Sequence, residues 1–158
     1  MFSLLVLYDM HTTFFPNAIE GISDEDAHNR MDTRANHVAW ITGSLVQQRY
    51  ALANALGIDK KHSAYELFKD YKGIQDGVTY PSFLTFKKDW KIITPVLREA
   101  LATMSDEKLD SPFEREPEME MTYYDALAFS TYREASQIGQ IALYRRLLGY
   151  DAMKYEER

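Results

Sequence analysis

An arginine and a glutamine four residues apart, Arg133 and Gln137, are the side chains of this sequence best suited to hold a small anion. Residues at this spacing lie on one face of a helix, so both side chains would point the same way. A guanidinium binds a carboxylate or phosphate through two parallel hydrogen bonds, and a glutamine amide adds a donor. Ser44, four residues after Trp40, could supply a hydroxyl beside an aromatic wall.

Residue sets for several common catalytic sites are missing from the sequence. It has no cysteine, which excludes disulfides, thiolate nucleophiles and sulfur-ligated metals. No serine–histidine–acid set, glycine-rich phosphate loop or paired-carboxylate motif stands out. The histidines are His11, His28, His37 and His62. His11 and His37 could share a distributed metal site, but such sites need three or more ligands, so we expect surface or cap roles for the histidines.

The composition indicates one ordinary globular domain. Its 158 residues, 46% of them hydrophobic, are enough for one core, so we expect a single domain over residues 1–158. The formal net charge is -6, with no basic face of the kind that nucleic-acid phosphates require. The apolar run at residues 1–8 has no basic flank and Asp9 follows it, which predicts a first helix and neither a signal peptide nor a membrane span.

The clearest helix signal begins just after Pro81. Apolar residues recur there every three or four positions, as on the core-facing side of a helix, and Ser82 is suited to cap the start. The recurring residues are Phe83, Phe86, Trp90, Ile93, Leu97, Leu101 and Met104. This pattern predicts a helix with one buried face.

Three further long helices are predicted from apolar spacing and from residues that begin or end helices. The first spans 2–21, the second runs from a cap at Asn36 to about Leu56 with Gly57 as its stop, and the last runs from a cap at Thr122, helped by Asp125, to about Leu148 with Gly149 as its stop. Residues 23–26 are expected to form a capped turn or a short helix. Pro16 is expected to kink or interrupt the first helix.

The connections between these helices predict the fold class. Residues 59–80 mix charges with glycine and have no sustained period, although 64–69 could form a helical turn. A tight turn would leave about twenty residues unexplained, so we expect a long crossover between the second and third helices. Residues 105–121 are acidic and contain Pro112 and Pro117, which predicts an exposed connection. The expected fold is an all-α four-helix bundle.

Two segments of the sequence resemble the DinB-like superfamily of four-helix proteins. The first, 36–57, carries AsnHisValAlaTrpIleThrGlySerLeu at its start; the second, 133–149, starts with ArgGluAlaSerGlnIleGlyGln and ends with ArgArgLeuLeuGly. The order and spacing of the predicted helices extend the resemblance over nearly the whole chain. It implies a bacterial, cytoplasmic protein that forms a homodimer.

The resemblance also implies a metal site, which this chain has changed. Relatives hold a divalent metal, usually zinc or nickel, with one histidine on the second helix and two, four residues apart, on the fourth. Those positions are Ser44, Arg133 and Gln137 here. A hydroxyl and an amide are weak ligands and a guanidinium repels cations, so we expect no metal and no metal cofactor. Trp40, one turn before Ser44, is expected to pack in the core and border the same spot.

Arg133 has two possible roles at this position. It could bind a small carboxylate or phosphate ligand, with Ser44 and Gln137 as further donors. It could instead pair with an acid of the chain such as Asp9 or Glu134, or extend to the end of the bundle, and structural ion pairs of this kind are the commoner outcome.

The expected function is therefore that of a metal-free protein without catalytic residues. It would bind a small anionic molecule or serve a structural role, with no nucleic-acid or membrane partner. The alternative is a metal- or thiol-dependent transferase or isomerase of the superfamily, which would use other groups at the old site or recruit a metal elsewhere.

Overall fold

The computed structural model describes residues 2–114 and 117–156, and over these ranges its regular structure is helical apart from one isolated bridge between Pro112 and Thr122. The four long helices are α1 (Phe2–Ala18), α3 (Val38–Ala55), α5 (Phe83–Ala102) and α7 (Tyr123–Leu147). The short helices are α2 (Asp24–Ala27), α4 (Tyr65–Phe68) and α6 (Asp106–Leu109), with 3-10 turns at Lys69–Tyr71 and Pro117–Met119. The predicted all-α class is confirmed. Residues 115–116 of the predicted exposed connection, and residues 1 and 157–158 of the predicted domain, lie outside the described ranges.

Each long helix packs against two others. Helix α3 lies against α5 and α7, and α1 lies against the same two helices. Every long helix contributes core side chains that are at most 1% exposed, among them Phe15, Ile41, Leu45, Ile93 and Ile141. The apolar face predicted for α5 is buried from Phe83 to Leu101. Among the described residues, no helix is long and apolar enough to cross a membrane.

The starts of the long helices follow the sequence signals in part. Ser82 is the N-cap residue of α5, as predicted, but its side chain makes no capping hydrogen bond. Thr122 Oγ1 accepts from the Asp125 amide at 3.1 Å, and Asp125 Oδ2 accepts from the Thr122 amide at 2.9 Å, which is the predicted capping box. The cap predicted at Asn36 is wrong by one residue. His37 Nδ1 accepts from the backbone amide of Trp40 at 3.1 Å and so caps α3.

Helix α1 is shorter than predicted, and its proline does not interrupt it. It ends at Ala18 instead of Gly21, and Pro16 lies in its last turn. A proline has no amide hydrogen, so it cannot bond the carbonyl one turn earlier, that of Thr12. The indole N–H of Trp90 donates to this carbonyl at 3.4 Å. Trp90 of α5 thus supplies the hydrogen bond that the Thr12 carbonyl cannot receive from Pro16.

One aromatic ring of the connection between α3 and α5 packs tightly against α3. Phe68, at the end of α4, is 4% exposed, and a Cβ atom added at Gly43 would collide with its ring. Asp70 and Tyr71, which follow, both have φ of 56°, so the chain turns sharply there. Gly43 therefore permits a close approach that places the segment after Phe68 beside α3.

Candidate functional site

The structure brings Ser44, Arg133 and Gln137 together between α3 and α7. Arg133 Nη2 and Gln137 Nε2 each donate to Ser44 Oγ at 3.0 Å. Ser44 is 4% exposed, and its hydroxyl proton takes part in neither bond. The predicted convergence of these three side chains is therefore present. Two donors, one from Arg133 and one from Gln137, share the hydroxyl oxygen of Ser44 as acceptor.

A cavity of about 530 Å³ opens beside this cluster. Trp40, Ser44 and Arg133 are among the described residues that line it, whereas Gln137 is not. Gln137 is 6% exposed and lies behind Ser44, where it can orient the hydroxyl. Three of the four candidate residues thus border the cavity, and the expectation that Gln137 donates directly to a ligand is not supported.

The cavity wall is mostly apolar. It is built from α3, α7, the segment 68–73 and three residues before α7, Phe113, Met119 and Met121. Its apolar members among the described residues are Trp40, Ala51, Leu52, Phe68, Phe113, Met119, Met121, Ala126 and Phe129. Its other charged members in the described part of the chain, Asp70 and Lys72, are exposed. Of the described cations that line this apolar chamber, Arg133 is therefore the more buried one.

Arg133 has no carboxylate partner among the described residues. Its guanidinium is half-buried, and this burial lowers its pKa from the usual value, with a smaller opposing effect from Tyr71. Neither acid expected as its partner is available. Asp9 pairs with Arg98 through bonds of 2.7 and 2.8 Å, and Glu134 pairs with Arg49. The predicted pairing of Arg133 with Asp9 or Glu134 is therefore wrong.

A buried ion pair lies elsewhere in the fold, between Arg49 and Glu134. Arg49 Nε and Nη2 donate to the two carboxylate oxygens at 2.7 and 2.9 Å, and Nη1 donates to the hydroxyls of Thr12 and Thr94. The guanidinium carbon lies 3.8 Å from the ring centroid of Tyr8 and 3.5 Å from that of Trp90. Arg49 lies on α3 and its partners come from the other three long helices, so the network is a structural junction.

The sequence contains a signal for this pair. Val38, Ile41, Leu45 and Leu52 set a core-facing period along α3, and Arg49 falls on it. A charge on a buried face requires a buried partner of opposite sign. Glu134 falls in the same way between the buried positions of α7. A pairing of Arg49 with Glu134 was therefore predictable from the sequence, since each lies on the buried face of its helix.

The histidines have structural roles. His37 caps α3, which confirms a cap role for it. The surface role expected for His11 is wrong, because its ring is buried and its Nδ1 lies 3.3 Å from Glu134 Oε2. His62 is also buried, with Nε2 2.7 Å from Gln47 Oε1. Burial lowers the pKa values of His37 and His62 to about 4.

The chemistry of the cluster does not fit a divalent metal. The positions that the family resemblance assigns to metal ligands carry a hydroxyl, an amide and a guanidinium, and the guanidinium already bonds the hydroxyl. A cation placed at Ser44 would be repelled by Arg133. Within residues 2–114 and 117–156, no group of three or more histidine, cysteine or acidic side chains could hold a metal ion.

No protein-family model, curated protein or solved structure matches the chain.

Proposed function

We propose that this protein is a DinB-like four-helix bundle whose site binds a small anionic molecule through Arg133 and holds no metal. The connection between α3 and α5 would be its crossover. The arrangement of the four long helices and the length of this connection support the fold assignment. The residues at the three ligand positions of the superfamily support the change from a metal to an arginine.

One observation carries the proposed binding role: Arg133 borders the cavity without a carboxylate partner among the described residues. A half-buried charge is costly unless it is paired or hydrogen-bonded. Its single hydrogen bond to a described residue goes to the neutral hydroxyl of Ser44, which leaves the charge itself unbalanced. An anion in the cavity would supply the missing partner and form charge-assisted hydrogen bonds.

Substitution of Arg133 tests this proposal. Butyrate or inorganic phosphate should raise the thermal unfolding temperature of the wild type relative to chloride at equal ionic strength, because a ligand that binds only the folded state stabilises it. Arg133→Met should abolish this shift and remain folded by circular dichroism. Arg146→Met, an exposed arginine near the end of the same helix, should keep it. Equal shifts in all three proteins would contradict the proposal.

A further inference from the structure

We propose that the natural ligand is an amphipathic monocarboxylate, with its carboxylate on Arg133 and Ser44 and an apolar tail along the cavity. This inference rests on the proposed anion-binding function and names the chemical class of the ligand. It is carried by the combination of a half-buried cation, Arg133, with a chamber whose walls are mostly apolar.

The size and lining of the cavity favour a tail. A volume of about 530 Å³ lies in the range of pockets that enclose small organic ligands, and a bare inorganic anion would occupy little of it. Aromatic, methionine, leucine and alanine side chains form most of the described lining. A purely polar ligand would leave this surface in contact with water, whereas an apolar tail would remove it.

The mouth of the cavity supplies further apolar surface. Met119 is 58% exposed and Phe129 is 56% exposed, although both line the cavity. A tail that extends from the chamber toward them would cover their exposed surface. Methionine side chains are flexible and polarizable, so they adapt to tails of different shape.

The head group is a carboxylate because the described residues of the chamber offer one half-buried positive charge, that of Arg133. Arg133 Nη2 is engaged with Ser44, and its other donors bond no described residue, so two of them remain for a planar pair of oxygens. The Ser44 hydroxyl adds a proton donor beside them. At the mouth, Asp70 and Lys72 carry opposite charges, so they add little net field for a second negative charge. A phosphate monoester, with a charge of roughly -1.5 to -2, would be left partly unbalanced.

Calorimetric titration with a homologous series tests the inference. Butyrate, hexanoate, octanoate and decanoate should bind with affinities that rise by up to about fourfold for each added methylene until the chamber is filled. Methyl decanoate and decyltrimethylammonium, which lack the anionic head, should bind at least about tenfold more weakly than decanoate. Arg133→Met should remove the preference for decanoate over its methyl ester, and Arg146→Met should keep it.

A second variant separates the tail from the head. Phe129→Ser removes apolar surface from the mouth at an exposed position, so the fold should persist. It should weaken decanoate several-fold and leave butyrate unchanged. Butyrate binding that requires Arg133, without any gain from longer chains, would overturn the amphipathic ligand and leave the proposed anion site standing. Tighter binding of decyl phosphate than of decanoate would overturn the carboxylate assignment. Failure of every acid to bind, with inorganic phosphate still bound through Arg133, would overturn only the carboxylate; failure of the acids and of phosphate alike would overturn both proposals.

Discussion

Arg49 and Arg133 show how the surroundings of one residue type separate a structural charge from a binding charge. Arg49 bonds both oxygens of a carboxylate and two hydroxyls, and it stacks on two aromatic rings. Arg133 bonds one hydroxyl and borders a cavity. The charge of Arg49 is balanced by a carboxylate within the fold, so loss of this arginine should affect stability. The charge of Arg133 has no carboxylate partner among the described residues, so loss of this arginine should affect binding.

This contrast predicts different stability costs for the two sites. Glu134→Gln leaves the buried charge of Arg49 without a counter-charge, so it should lower the free energy of unfolding by about 3 kcal/mol or more. Arg133→Met should cost much less, because it breaks no ion pair among the described residues. Urea unfolding of both variants at neutral pH measures the difference.

A double variant serves as the control for this prediction. Arg49→Met combined with Glu134→Met removes both charges, so it should be more stable than Glu134→Gln alone. Equal costs for Glu134→Gln and Arg133→Met would mean that Arg133 also has an essential structural partner, contrary to the binding role proposed for it.

At the scale of elements, the position of the connection between α3 and α5 depends on Gly43. A side chain at this position would approach the ring of Phe86 to 2.9 Å and the ring of Phe68 more closely still. Phe68 in turn forms part of the cavity wall next to Ser44. The contact between a helix glycine and a connecting segment therefore shapes the candidate site.

Gly43→Ala should consequently displace Phe68. Overpacking a tight core site costs about 1–3 kcal/mol, although alanine is the better helix former, so the net destabilisation should fall toward the lower end. Chemical unfolding gives this value, and Gly43→Ala combined with Phe68→Ala should show a smaller added cost than the sum of the single changes. A fully stable Gly43→Ala protein with unchanged ligand binding would show that Phe68 does not depend on this glycine.

The elements differ in how far the sequence determined them. Helix α5 was predictable because its buried residues repeat strictly at helical spacing over the length of the helix. The stops at Gly57 and Gly149 were predictable because helices commonly end at a residue with positive φ, which glycine adopts without strain. The two glycines have φ of 82° and 89°. The cap of α3 was not, because a histidine ring nitrogen can accept the bond expected of the neighbouring asparagine. The donor that bonds the Thr12 carbonyl in place of Pro16 is a distant indole, which no local pattern contains.

The candidate site was predictable only in part, because spacing along a helix specifies which side chains share a face but not which charges pair between helices. The spacing of Arg133 and Gln137 and the resemblance placed them near Ser44, and the structure brings the three together. Whether Arg133 had a partner within the chain depended on where every acid lies in three dimensions. Asp9 was paired with Arg98 across α1 and α5, a contact that no spacing along either helix specifies.

At the scale of the whole molecule, two buried histidines couple folding to pH. The pKa values of His37 and His62 fall from 6.5 to about 4, chiefly because burial disfavours the charged ring. The unfolded chain therefore binds more protons than the folded chain between these values, so stability is full above pH 6.5 and is lost as the pH falls toward 4. At about 1.4 kcal/mol for each pKa unit, the shift of His62 alone corresponds to about 3 kcal/mol of this loss.

Replacing one of these histidines should flatten the pH dependence. His62→Gln keeps a side-chain amide that can donate to Gln47 in place of the ring N–H, and it has no group that titrates in this window. The variant should be less stable than the wild type at pH 6.5 through lost packing, yet lose less stability between pH 6.5 and pH 4. The comparison is the difference in unfolding free energy between these two pH values, measured in urea for both proteins. Glu134 adds little to this difference. Its pKa is lowered in the folded protein, so the stability that it contributes is lost as the pH falls below the ordinary value of 4.5. An unchanged difference in His62→Gln would assign the acid sensitivity of the fold to other groups.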